Sequence, residues 1–122
     1  MFYKDYIRVL YINLSTGRIR VDKRKDLRAY LGGVGVASKL LQENMNPDLP
    51  PLHEDQPIVF AIGAASSVFP VITKTVAMFI SPLTGELGES YAGGRLAFTM
   101  LHAGYDAIVI TGKSQKPCYV TV

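Results

Sequence analysis

The chain has 122 residues, of which 48% are hydrophobic and 19% charged, and carries a formal net charge of +3. That length supports one hydrophobic core but not two, and the composition is far from that of a disordered chain. No apolar run approaches the roughly 18–20 residues of a membrane span, Lys4, Asp5 and Arg8 interrupt any signal-peptide core, and the single cysteine, Cys118, excludes an internal disulfide.

Tyr6 to Leu14 is rich in β-branched and aromatic residues and is expected to be a strand. Asn13 to Gly17 gives a tight turn, and Arg18-Ile19-Arg20-Val21 alternates polar and apolar residues as the return strand of a hairpin. Asp26 is placed to cap a short helix through Leu31, ended by Gly32-Gly33. Val36, Leu40 and Leu41 recur at helical spacing, which predicts a second helix over Val34–Asn44. Pro57–Ile62 and Lys74–Ile80 are apolar runs of strand length, separated by a small-residue loop. Ser81-Pro82-Leu83-Thr84-Gly85 is a turn, because proline presets φ and glycine releases it. Gly93-Gly94 is expected to open a third helix that runs through His102 and stops at Ala103-Gly104. Tyr105–Thr111 and Pro117–Val122 complete the set as two further strands. The second of these would leave an exposed hydrogen-bonding edge, so the chain is expected either to be truncated or to pair with a partner there.

The charge is uneven: residues 1–28 hold eight Lys/Arg against three Asp, and the remainder five against seven. A basic front invites nucleic acid, but Lys23-Arg24-Lys25 lies between a strand and a helix, where charges are ordinarily solvated, with few aromatics interleaved for stacking. Leu31-Gly32-Gly33-Val34-Gly35-Val36-Ala37 superficially resembles a dinucleotide loop. Ser38 replaces the last small residue of that pattern and a helix precedes it, so a helix–helix joint with close backbone approach is the better account. Ser90-Tyr91-Ala92-Gly93-Gly94-Arg95 has the makings of an anion site: unpaired amides at a helix start, bare glycine backbone, and an arginine. An ordinary glycine turn is the competing account.

His53-Glu54-Asp55 lacks a further ligand nearby for a metal. His102 suits a helix C-terminus, Asp106 a turn or sheet edge, and Cys118 the small core residue of a strand. No spacing argues for a Ser–His–Asp set or a Cys–His pair, so no residue of this chain is assigned as catalytic.

Taken together, IRVLYINLSTGRI, YLGGVGVASKLL, FAIGAA, SPLTG, AGG and HAGYDAIVITGKSQKPCYV resemble, in order and spacing, the N-terminal domain of the tungsten-dependent aldehyde ferredoxin oxidoreductase family. The resemblance covers nearly the whole chain, treated as a single domain over residues 1–122. It implies an α+β fold with mixed β-sheets and about three helices. It also implies a full-length cytoplasmic oxidoreductase that converts aldehydes to carboxylic acids, holds a tungsten (or molybdenum) bis-pterin cofactor with magnesium, and delivers electrons to ferredoxin. The 4Fe-4S cluster would be ligated outside this segment. Within the segment the resemblance points to Tyr91, Ala92, Gly93, Gly94 and Arg95 beside the pterin phosphates, with the Tyr91 carbonyl toward magnesium. Lys74, seven residues before Ser81, stands where relatives often carry an arginine; it keeps the charge but lacks the planar, bidentate grip. A non-catalytic module that self-associates or binds a partner chain through its last strand is the alternative. Neither nucleic acid nor a membrane is expected as a partner.

Overall fold

The computed structural model describes residues 4–122. Its core is one six-stranded mixed sheet of order β2-β1-β6-β3-β4-β5, with one helix on each face. β1 (Ile7–Asn13) and β2 (Arg18–Arg24) form the expected antiparallel hairpin. Its turn is fixed by Asn13 Oδ1, which accepts the Ser15 and Thr16 amides at 3.0 and 3.1 Å, and by Gly17 at φ 69°. A single 3-10 turn, Asp26–Tyr30, leads into α1 (Gly33–Asn44).

β3 (Ile58–Ile62), β4 (Thr75–Ile80) and β5 (Leu87–Ala92) run as an antiparallel meander. α2 (Leu96–Ala103) then brings the chain back, and Gly104 ends it in the left-handed conformation. Its amide donates to Leu101 O, as expected of a C-terminal stop. β6 (Ala107–Thr111) enters the middle of the sheet, parallel to β1 and antiparallel to β3.

Alternation along the strands assigns the two faces. Val59, Ala61, Val76, Met78 and Val109 share the face on which α1 buries Val36, Ala37, Leu40 and Leu41. Phe60 and Ile108 point to the other face, where they line one cavity with Met100 of α2 and Val120 and Val122 of the tail.

Five expectations need correction. The sheet is single, and two α-helices plus one 3-10 turn replace three helices. Asp26 does not cap: Lys25 holds the cap position, and the Asp26 carboxylate is drawn to Arg24 instead. Ser90–Ala92 finish a strand, and the helix begins only at Leu96. Pro117–Val122 form no strand; they lie across the Leu10–Ile12 face of β1 without joining the ladder. Cys118 is accordingly exposed rather than a core residue.

Candidate functional site

The register of β4 and β5 decides what meets at the candidate site. Thr75 pairs with Ala92, the last pair of that ladder. Lys74 and Gly93 are therefore the next residues on each strand beyond it, and the chain turns through Gly94 and Arg95 into α2. Lys74, Tyr91, Ala92, Gly93, Gly94 and Arg95, distant in sequence by up to 21 positions, thus gather at one corner of the sheet, and all are exposed.

The backbone at this corner is bare. A Cβ built on Gly93 or Gly94 meets no heavy atom within 4 Å. Gly94 has φ +78°, a region that side chains rarely tolerate, which accounts for glycine there. Among the described residues, nothing accepts a hydrogen bond from the Gly93 or Gly94 amide, and neither Lys74 Nζ nor the Arg95 guanidinium has an anionic partner. Arg95 occupies the cap position of α2 with no side chain capping the helix, so the first-turn amides of α2 lack the usual local acceptor.

Directly across from Ala92, Thr75 is 1% exposed and its Oγ1 has no hydrogen-bond partner. The sequence pattern does not single out this residue; a threonine at the start of an apolar run reads simply as strand. Three further buried polar atoms without hydrogen-bond partners, Ser67 Oγ, Arg8 Nε and Asp106 Oδ1, belong to the same end of the sheet. Asp106 is buried rather than at an edge: its Oδ2 accepts the Arg8 amide at 2.8 Å, and Lys4 Nζ stands 4.0 Å from Oδ1. The backbone of Asp106 joins Arg8 to Ile62, so it closes this end of the sheet between β1 and β3.

Tyr91 projects to the α1 face, since it pairs with Val76. Partial desolvation, and the hydrogen bond its hydroxyl donates to Glu89 Oε2 at 3.1 Å, raise its phenol above the ordinary range.

The other candidates stay apart. His53 Nδ1 lies 3.7 Å from Asp55 Oδ2 and accepts the Asp55 amide. No group of three His, Cys, Asp or Glu suited to a metal occurs among the described residues. His102 Nδ1 sits 2.8 Å from Phe98 O, with its ring 4.0 Å from the Phe98 ring, which makes it a helix-end packing residue. The glycine run that opens α1 is a close approach, as expected: a Cβ on Gly35 would lie 2.5 Å from Tyr30 O of the 3-10 turn.

The six-stranded mixed sheet thus ends, at this corner, in bare glycine backbone flanked by an exposed lysine and an exposed arginine. The family model described as the N-terminal domain of aldehyde ferredoxin oxidoreductase matches residues 9–122, and the chain belongs to that family. It is 33% identical to the tungsten-containing aldehyde ferredoxin oxidoreductase of Pyrococcus furiosus and 31% identical to that of Thermococcus kodakarensis. Each match covers 98% of this chain, which spans 20% of the relative's length. Among solved structures, the active-site complex BamBC of benzoyl coenzyme A reductase with 1,5-dienoyl-CoA superposes with a TM-score of 0.83 at 30% identity, over 89% of this chain and 17% of that one. No helix among the described residues is long and apolar enough to cross a membrane.

Proposed function

We propose that this chain supplies the phosphate-facing floor for a tungsten (or molybdenum) bis-pterin cofactor in an oxidoreductase several times its length. In that protein aldehydes would be oxidised to carboxylic acids with ferredoxin as electron acceptor. The observation that carries the reading is the corner where Lys74 meets Gly93-Gly94-Arg95, with free amides and no Cβ in the way.

The corner fits the phosphate end of such a group on three counts. Unpartnered amides at the start of α2 donate to an anion and lie at the positive end of the helix dipole. Lys74 and Arg95 add two positive charges with no anionic partner of their own among the described residues. The Gly93 and Gly94 backbone, with no heavy atom within 4 Å of where a Cβ would stand, lets such a group approach closely. The Tyr91 carbonyl is the candidate magnesium contact, and a main-chain ligand does not depend on which side chain the position carries.

When bound, the metal–pterin group supplies the two-electron redox chemistry. This chain's own residues bind and orient: Gly93 and Gly94 allow close approach, Lys74 and Arg95 neutralise phosphate charge, and the β4–β5 ladder keeps the corner rigid. The iron–sulfur cluster, ferredoxin contacts and substrate pocket fall to other parts of the longer protein. The similarity to a benzoyl coenzyme A reductase as well as to aldehyde oxidoreductases supports that division, since one domain type then serves two substrates.

The test is Gly93→Val in the full-length protein. Gly93 does not have a positive φ, and its missing Cβ faces open space, so the fold of this chain, measured by itself without cofactor, should keep its Tm. Tungsten (or molybdenum) and pterin per chain should fall at least about tenfold, the effect of losing one charge-assisted contact. A full complement of metal and pterin in G93V would refute the proposal.

A further inference from the structure

We infer that a second site, for a small organic carboxylate, lies at the opposite end of the sheet, in the cavity between β1, β2, β6 and the end of α1. Asn13 pairs with both Arg18 and Thr111 there, whereas the Thr75–Ala92 pair closes the other end. The cavity measures about 230 Å³. That volume suits a ligand of a few carbon atoms rather than a nucleotide or a pterin.

Its polar groups are donors in excess. Arg18 lines the cavity, and its guanidinium has no partner among the described residues. Arg20 lines it too, held with its guanidinium carbon 4.3 Å from the centroid of the Tyr11 ring. One Arg20 nitrogen is engaged by Asp22 Oδ2 at 3.2 Å, which leaves its other N–H groups free. Asn13 spends its Oδ1 on the Ser15 and Thr16 amides, so only its NH₂ remains for a ligand. The Thr111 hydroxyl also lines the cavity and has no partner of its own. Asn44 is the exception: its NH₂ donates to Leu40 O at 2.7 Å, and its carbonyl is left as a spare acceptor.

Charge and surface select the ligand class. Two arginines less the Asp22 charge leave the cavity one positive charge in excess, which a monoanion neutralises and a phosphate dianion overshoots. Tyr11, Ile12 and Val109 form an apolar floor that an inorganic ion cannot cover. A planar carboxylate matches the guanidinium fork, and a short hydrocarbon body matches the floor.

The experiment is a titration of the ¹⁵N-labelled chain with butyrate and, separately, with inorganic phosphate. Butyrate should shift the amides of Asn13, Arg18, Arg20, Asn44 and Thr111 saturably while leaving Gly93 and Gly94 unmoved. Arg18→Gln should raise the half-saturating concentration about tenfold or more. Arg18→Lys, which keeps the charge without the fork, should fall between R18Q and wild type. The inference is overturned if butyrate gives no saturable shift, if phosphate binds as tightly as butyrate, or if R18Q binds like wild type. The outcome is independent of the cofactor proposal, because the two sites share no residue.

Discussion

Two glycines of this chain lack a side chain for opposite reasons. At Gly35 the neighbouring backbone leaves no room, since a Cβ would meet Tyr30 O at 2.5 Å. At Gly93 the protein itself leaves all the room there is. The contrast yields a prediction. Gly35→Ala should destabilise the fold by about 1–3 kcal/mol, the usual range for overpacking, because a carbonyl cannot swing aside as a side chain can. Chemical denaturation of G35A beside wild type measures it, and an unchanged midpoint would mean that the 3-10 turn can shift away from α1. Individual residues were unevenly legible. The turn glycines announce themselves because positive φ admits little else. Asp106 does not: a carboxylate next to Tyr105 and Gly104 suggests a turn, and only the tertiary pairing with the Arg8 amide shows why it is buried. Cys118 misleads in the other direction, since small apolar residues are usually core and this one is exposed.

At the scale of elements, the chief tie between the hairpin and the helical layer is Arg24. Its Nε reaches Asp26 Oδ1 at 2.8 Å, its other nitrogens reach Glu43 of α1 at 3.0 and 3.1 Å, and Nη1 lies 3.2 Å from the Tyr11 hydroxyl. The hydrogen bond from Arg24 lowers the Asp26 pKa below its ordinary value. A carboxylate with a depressed folded-state pKa adds stability that is complete above the unfolded value and disappears as pH falls through the folded one. Asp26→Asn should therefore flatten the acid limb of the Tm–pH profile below about pH 4, with little change in its shape near neutrality. An acid limb identical in D26N and wild type would show that the pair contributes nothing. Most elements were readable because burial leaves a mark: α1 carries apolar residues at helical spacing, and β1, β3, β4 and β6 are apolar runs of strand length. β5 was not, because Leu87-Gly88-Glu89-Ser90-Tyr91-Ala92 is an exposed edge with no apolar alternation to see. Its signal is indirect: seven residues separate the SPLTG turn from Gly93, enough to pair along the six of β4. Pro117–Val122 shows the reverse error, strand composition without a neighbour to pair with.

For the whole molecule, the strand order predicts a gradient of protection. β1, β6, β3 and β4 are flanked on both sides, whereas β2 and β5 are edges and residues 114–122 hold no ladder. Native-state hydrogen exchange should be slowest at Val9, Val59 and Val109 and fastest in β5 and the tail. Equal protection of β5 and β6 would contradict the topology. The candidate site was legible as a list of residues but not as a place. The glycine pair and Arg95 stand together in the sequence. Lys74 came only through the family resemblance, and the strand register then set it beside them. The role of Thr75 is not legible in the sequence, because an orphaned hydroxyl is a property of packing, invisible in a string of letters.

The position of β6 has a consequence for how the chain is made. The last strand in sequence lies at the centre of the sheet, between an N-terminal hairpin and a three-stranded meander that do not pair with each other directly. A ribosome must therefore release both subassemblies before the strand that welds them emerges. Until it docks, each exposes an open, adhesive edge, and the nascent polypeptide depends on rapid insertion, or on a chaperone, to stay out of aggregates.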